Sequence, residues 1–169
     1  MIPLFEPTPE NWKVCIIRLI DYDSNNINFN HCIKAFFMVS DVRLVTPDKE
    51  KLSDGEVPIF DMKGMGYRHL PKLVFSTLKM YMKYTQEAHP VRVRQIHIVN
   101  CSSMLGLFYR IAKPLVHAEV LKRVHFHTPN SDTLTKFIPA EILPEEYGGS
   151  AGKVEVFKDH ISNLLEKKR

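Results

Sequence analysis

The chain has 169 residues, 44% hydrophobic and 25% charged, with a formal net charge of +4. This describes one globular domain with a real core, leaves little room for two, and gives too little charge to argue for nucleic acid as a partner. No segment approaches the roughly 18 uninterrupted apolar residues of a membrane span, and the first residues lack the basic and apolar regions of a signal peptide, so a cytoplasmic protein is expected.

Residues 1–12 hold three prolines and no periodicity, and read as an irregular lead-in. The run from Val14 to Leu19 is short, apolar and β-branched, and is followed by the turn formers DYDSNN, which predicts a buried strand. From about Phe29, Ile33, Phe36, Phe37 and Ser40 recur at helical spacing until the polar TPDKEKLSDG loop. VPIFDM predicts a second strand, with Pro58 suggesting an edge or a strand start.

From Leu70 onward, Leu70, Val74, Leu78, Tyr81, Met82 and Thr85 fall on one helical face, with Lys72, Ser76, Lys79, Lys83 and Gln86 on the other. QIHIVN predicts a third strand. Ser102 or Ser103 can cap the helix that follows, which carries Leu105, Phe108, Ile111, Ala112 and Leu115 and should break at Pro114. KRVHFH predicts a fourth strand, NSDTLTKF a short capped helix, and residues 151–169 a terminal helix. Strands alternating with helices imply an α/β domain over residues 13–150 with a mostly parallel sheet.

The chemistry-bearing residues do not assemble into a catalytic set. Gly64-Met65-Gly66 stands where a dinucleotide fingerprint would, but His69 occupies the third glycine position, so a strand-to-helix turn is the better reading. Cys101 before a helix would need an arginine about six residues on to act as a phosphatase nucleophile; Leu107 is there instead. Ser102 and Ser103 lack a G-x-S-x-G elbow. His97, His125 and His127 make a conceivable metal set, but a polar sheet face explains them without metal. Asp21 and Asp23 read as local backbone caps. The odd, widely spaced Cys15, Cys32 and Cys101 read as small buried residues without disulfides. No enzyme activity, cofactor or metal is expected.

The ordered segments GEVPIFDMKGM, VRVRQIHIVNCSSMLGLFYRIAKPL, LKRVHFH and FIPAEILPEEYGG resemble the CRAL-TRIO, or Sec14-like, lipid-binding family. The likeness is to the branch of the tocopherol-transfer and retinaldehyde-binding proteins, especially its insect members. The family's N-terminal three-helix module has almost no counterpart in these residues. The resemblance implies one lipid held in an apolar cavity between a sheet floor and a movable gate helix, and LPEEYGG as an architectural closure rather than a catalytic motif. The pocket residues implied are Phe36, Phe37, Phe60, Met62, Leu78, Met82, Ile96, Phe108 and Ile111. Met104, Leu107, Pro114 and Leu115 belong to the gate, with Pro114 as hinge. Arg92, Arg94 and Arg123 match a basic cleft for a phosphoinositide headgroup; a further basic position of that cleft is Glu119 here, with Lys122 as substitute. The function implied is binding and transfer of a retinoid, tocopherol-like molecule or phospholipid by a monomer that visits membranes transiently. An adaptor that keeps the fold without the ligand is the alternative.

Overall fold

The computed structural model describes residues 1–46, 52–101 and 105–167. Among these described residues, five strands form one sheet in the order β1 (Ile2–Pro3), β2 (Trp12–Arg18), β3 (Gly55–Asp61), β4 (Ile96–Val99) and β5 (Val124–Phe126). β1 runs antiparallel to β2, and every later pairing is parallel. The long crossovers that parallel strands require carry α1 (Phe29–Val45) and α2 (Phe75–Glu87), and then the pair α3 (Leu105–Ala112) and α4 (Ala118–Leu121). α5 (Val154–Lys167) closes the chain.

Register gives the sheet two unlike faces. Val14 pairs with Val57, Ile16 with Ile59, and Ile59 with His97. Because side chains alternate along a strand, these residues share one face, where Val14, Ile16, Val57, Ile59 and Val99 join Leu134, Ile138, Leu143, Tyr147, Val154 and Phe157 in the core. The alternate set, Cys15 with Pro58 and Ile17 with Phe60, turns to the opposite face.

Pro58 lies inside β3, between β2 and β4, and not at an edge or strand start. A mid-sheet proline lacks a ladder donor. Pairing with the β4 side is interrupted there: Glu56 bridges Val93, and regular pairing resumes only at Ile59 with His97. The lead-in contributes β1, whose two residues are too few to show a period. The helix foreseen from Leu70 splits into a 3-10 segment at Tyr67–Lys72, where Pro71 sits, and α2 proper. The segment NSDTLTKF forms a 3-10 turn at Thr133–Lys136, without a side-chain cap from Asp132. Asp21 and Asp23 do cap locally, accepting from the backbone N–H of Asp23 (2.8 Å) and Asn25 (2.9 Å). Of the cysteines, Cys15 is buried, Cys101 is half-buried and Cys32 is exposed on α1, so the buried reading fails for Cys32. The proposed caps Ser102 and Ser103 lie outside the described residues.

The LPEEYGG segment ties the C-terminal region to the sheet. The Tyr147 hydroxyl donates to Asp61 Oδ2 at 2.7 Å across 86 positions of sequence. Asp61 Oδ1 also accepts from Asn100 Nδ2 (2.7 Å) and from the Lys63 N–H (2.9 Å). Gly148 adopts the left-handed conformation (φ 79°), and a Cβ at Gly149 would stand 1.9 Å from the Leu143 carbonyl oxygen. The Glu146 carboxylate accepts from the Val154 N–H, capping α5.

Candidate functional site

The second sheet face is the floor of a cavity of about 510 Å³. Cys15, Ile17, Pro58, Phe60, Ile96, Ile98 and Val124 form that floor, and α2 and the α3–α4 segment form walls and roof. The volume falls within the range of small-molecule pockets, and the lining is overwhelmingly hydrocarbon and thioether.

Phe36, Phe60, Met62, Leu78, Met82, Ile96, Phe108 and Ile111 all line it. Phe37 does not; it turns toward Tyr84, edge-on with centroids 5.0 Å apart. The sequence reading missed Tyr81, Val116, Val120 and Leu121, which also line the cavity. Tyr81 had been placed on the apolar face of its helix, a signal equally consistent with plain core. α4 is only four residues long, too short for any period to expose its inward side.

Within the sequence-assigned gate, the break at Pro114 is observed as a 3-10 turn at Lys113–Leu115 between α3 and α4. Leu107 is 37% exposed and lines no part of the cavity, nor do Pro114 and Leu115; Met104 lies outside the described residues. No residue of α3 is buried. Gln86 was expected on the solvent face of α2 but points inward. Its Nε2 donates to the Leu115 carbonyl (2.9 Å) while its Oε1 accepts from the His117 N–H (2.7 Å), so one side-chain amide fastens the α3–α4 connection to α2. Around it, His117 and Glu87 stand 3.8 Å apart at the surface.

Beside the apolar cavity lies a polar cleft of about 530 Å³, whose lining includes Lys13, Arg43, Arg92 and Arg94, together with Asp54 and Glu56. Glu56, His89, Val91 and Arg92 line both spaces and so form the partition. Arg43 of α1 pairs with Glu56 at this partition, each side chain 13% exposed. Burial pushes the His89 imidazole down from its usual value, favouring the neutral ring. The Arg94 guanidinium donates twice to the Asp54 carbonyl (2.9 and 2.7 Å) and stands 5.8 Å from the centre of the Trp12 ring. Arg92 is exposed and makes no side-chain hydrogen bond among the described residues. Arg123 donates to the Val93 carbonyl and lines the apolar cavity rather than the polar cleft. Lys122 pairs with Glu119 at 2.6 Å in solvent. Arg92 and Arg94 are thus brought together, while Lys122 and Arg123 stand apart from their cleft.

The three histidines lie on the core face. His97 and His127 are buried, with His97 Nδ1 2.9 Å from His127 Nε2, and His125 stacks on His97 with centroids 5.1 Å apart. Further contacts run from His97 Nε2 to Gln95 Oε1 (3.1 Å) and from His127 Nδ1 to Thr133 Oγ1 (2.7 Å). The ring nitrogens of His97 and His127 are committed to each other and to neutral partners; no cluster of three or more metal-ligating residues occurs among the described residues. The Cys101 thiol donates to the Ile98 carbonyl (3.0 Å), and burial pushes its pKa up, opposite to the shift an activated nucleophile needs.

A mostly parallel sheet with one face sealed into the core and the other left as the floor of an apolar chamber defines an α/β domain with room for a small lipophilic molecule. Residues 1–149 match the model of the CRAL/TRIO domain, and the chain belongs to that family. Among characterised proteins it is similar to Clavesin-1 of Rattus norvegicus, 25% identical over 138 residues that make up 82% of this chain and 38% of that protein. It is likewise similar to Clavesin-2 of Homo sapiens, 25% identical over 137 residues, 81% of this chain and 41% of that one. The chain spans about two fifths of the length of these relatives. The crystal structure of Sfh5 superposes with a TM-score of 0.58 at 17% identity, covering 88% of this chain and 53% of that one, which supports the fold.

Proposed function

We propose that the protein is a non-enzymatic carrier that takes one hydrophobic molecule into the chamber and exchanges it at membranes. The observation that carries this reading is the apolar chamber of about 510 Å³, floored by a sheet face that the core leaves uncovered. The α3–α4 segment is the gate in this reading: α3 has no buried residue, and Gln86 holds its far end by one side chain. Retinoid-like and tocopherol-like molecules are the ligands the tocopherol-transfer and retinaldehyde-binding branch would take. Phosphoinositide is the lipid that Arg92 and Arg94 would meet, since both line one cleft with Lys13 and Arg43.

Detergent-free protein analysed by native mass spectrometry should carry one stoichiometric lipid, identifiable after extraction. Protein that stays empty after incubation with mixed liposomes refutes the carrier reading and favours an adaptor. Flotation with phosphoinositide liposomes should weaken severalfold in the Arg92→Glu/Arg94→Glu variant; unchanged flotation removes the headgroup part.

A further inference from the structure

Tyr81 of α2 lines the chamber with its ring edge-on to Phe36 (centroids 5.0 Å) and tilted against Phe37 (6.3 Å). Neighbouring polar groups of the lining are committed elsewhere. The Thr85 hydroxyl donates to the Tyr81 and Met82 carbonyls, Gln86 fastens the α3–α4 connection, and Glu56 holds Arg43. His89 Nδ1 accepts from the Val91 N–H, and Arg123 donates to Val93. Arg92 and Lys113 are exposed. The Tyr81 hydroxyl makes no hydrogen bond among the described residues and is not sealed inside the core, so it is left to meet whatever occupies the chamber. Burial first, and then the nearby Cys15 and Glu56, push its pKa upward, so it remains a donor at neutral pH.

We propose that the Tyr81 hydroxyl is the polar anchor of the chamber, and that the ligand is a hydrocarbon-rich lipid ending in a neutral oxygen, an alcohol or carbonyl, which accepts from Tyr81. Neutrality follows from the surroundings of Tyr81: the ionisable lining groups that act on its hydroxyl are Cys15 and Glu56, which disfavour a second negative charge there, whereas Arg92, Lys113 and Arg123 sit at the exposed margin of the chamber. This rests on the carrier reading and narrows it, because a plain hydrocarbon would leave the phenol unmatched.

The test is displacement of the neutral dye Nile red by 1-hexadecanol, hexadecane or palmitate delivered from cyclodextrin, with wild type and Tyr81→Phe. Wild type should bind hexadecanol about tenfold tighter than hexadecane, the worth of one matched hydrogen bond, and palmitate more weakly than hexadecanol. In Tyr81→Phe the alcohol and hydrocarbon should bind alike, hexadecane affinity should be unchanged, and Tm should be no lower than wild type because no protein partner is lost. An alcohol preference that persists in the variant, or equal weakening of both ligands, overturns the anchor. Palmitate binding as tightly as hexadecanol overturns the neutral-terminus assignment. If none of the three displaces dye from wild type, the carrier reading falls and the anchor with it, an outcome distinct from binding without preference.

Discussion

Replacing Tyr147 by Phe removes one oxygen and keeps the ring that packs into the core. Asp61, 6% exposed, then loses one of its three donors, retaining Asn100 Nδ2 and the Lys63 N–H. A hydrogen bond to a charged group contributes about 1.5–3 kcal/mol, so the variant should be about 2 kcal/mol less stable. For a chain of this length that lowers Tm by about 4–8 °C. Urea titration followed through the single tryptophan, Trp12, gives the free energy, with the midpoint moving and the slope unchanged. Combining the change with Asp61→Asn isolates the pair, and the coupling should exceed about 1 kcal/mol. Alkaline titration supplies a second signature. Burial, and after it the Asp61 carboxylate, pushes the Tyr147 phenol above its ordinary value. The folded state therefore keeps this proton when the unfolded chain has lost it; the contribution is intact below about pH 10 and declines as pH rises beyond it. Tyr147→Phe should lack that part of the decline. A Phe variant within about 0.5 kcal/mol of wild type and a null coupling would falsify the role assigned to this hydrogen bond.

Gly149→Ala drives a methyl into the Leu143 carbonyl, 1.9 Å away, and should cost about 3 kcal/mol, read as a lowered Tm or loss of soluble protein; Gly106→Ala, with open space around it, is the control. Burial first, then the positive charge His127 and His125 would carry, pushes His97 down to about 3. A depressed folded pKa gives stability that is present above the unfolded value near 6.5 and lost as pH falls toward 3, at about 1.4 kcal/mol per pH unit for each proton taken up. His97→Asn should flatten this acid limb in denaturation measured from pH 7 to pH 4. Removing one partner of the Arg43–Glu56 pair should cost about 2–4 kcal/mol, while Arg43→Met combined with Glu56→Leu should cost less than either single change; additive losses in chemical denaturation would contradict the ion-pair account.

The local elements were legible where one period persisted. α1 starts at Phe29 as its spacing indicates, and α3 gives way at Lys113 to the turn containing Pro114. What escaped were features set by partners far off in sequence. β1 exists because Ile2 and Pro3 meet Ile16 and Cys15, and no two-residue pattern announces that. Gln86 looked solvent-facing by helical position, yet the backbone of the α3–α4 connection draws it inward. The Tyr147–Asp61 bond joins residues 86 positions apart. The chamber was the most ambiguous feature: phenylalanine and methionine at helical spacing describe a packed core as readily as an open pocket, and only the family resemblance pointed to the latter.

The eight residues of α3 contribute none of their side chains to the buried core, although Phe108 and Ile111 look directly into the chamber. In the proposed carrier, the roof over the ligand is therefore written in a stretch of sequence that the buried core does not use. Under that proposal, exchanging Phe108 or Ile111 alters the shape presented to a guest molecule while the sheet and its core stay intact. A carrier built this way would change its cargo preference by single amino-acid steps in the roof, without rebuilding the sheet beneath.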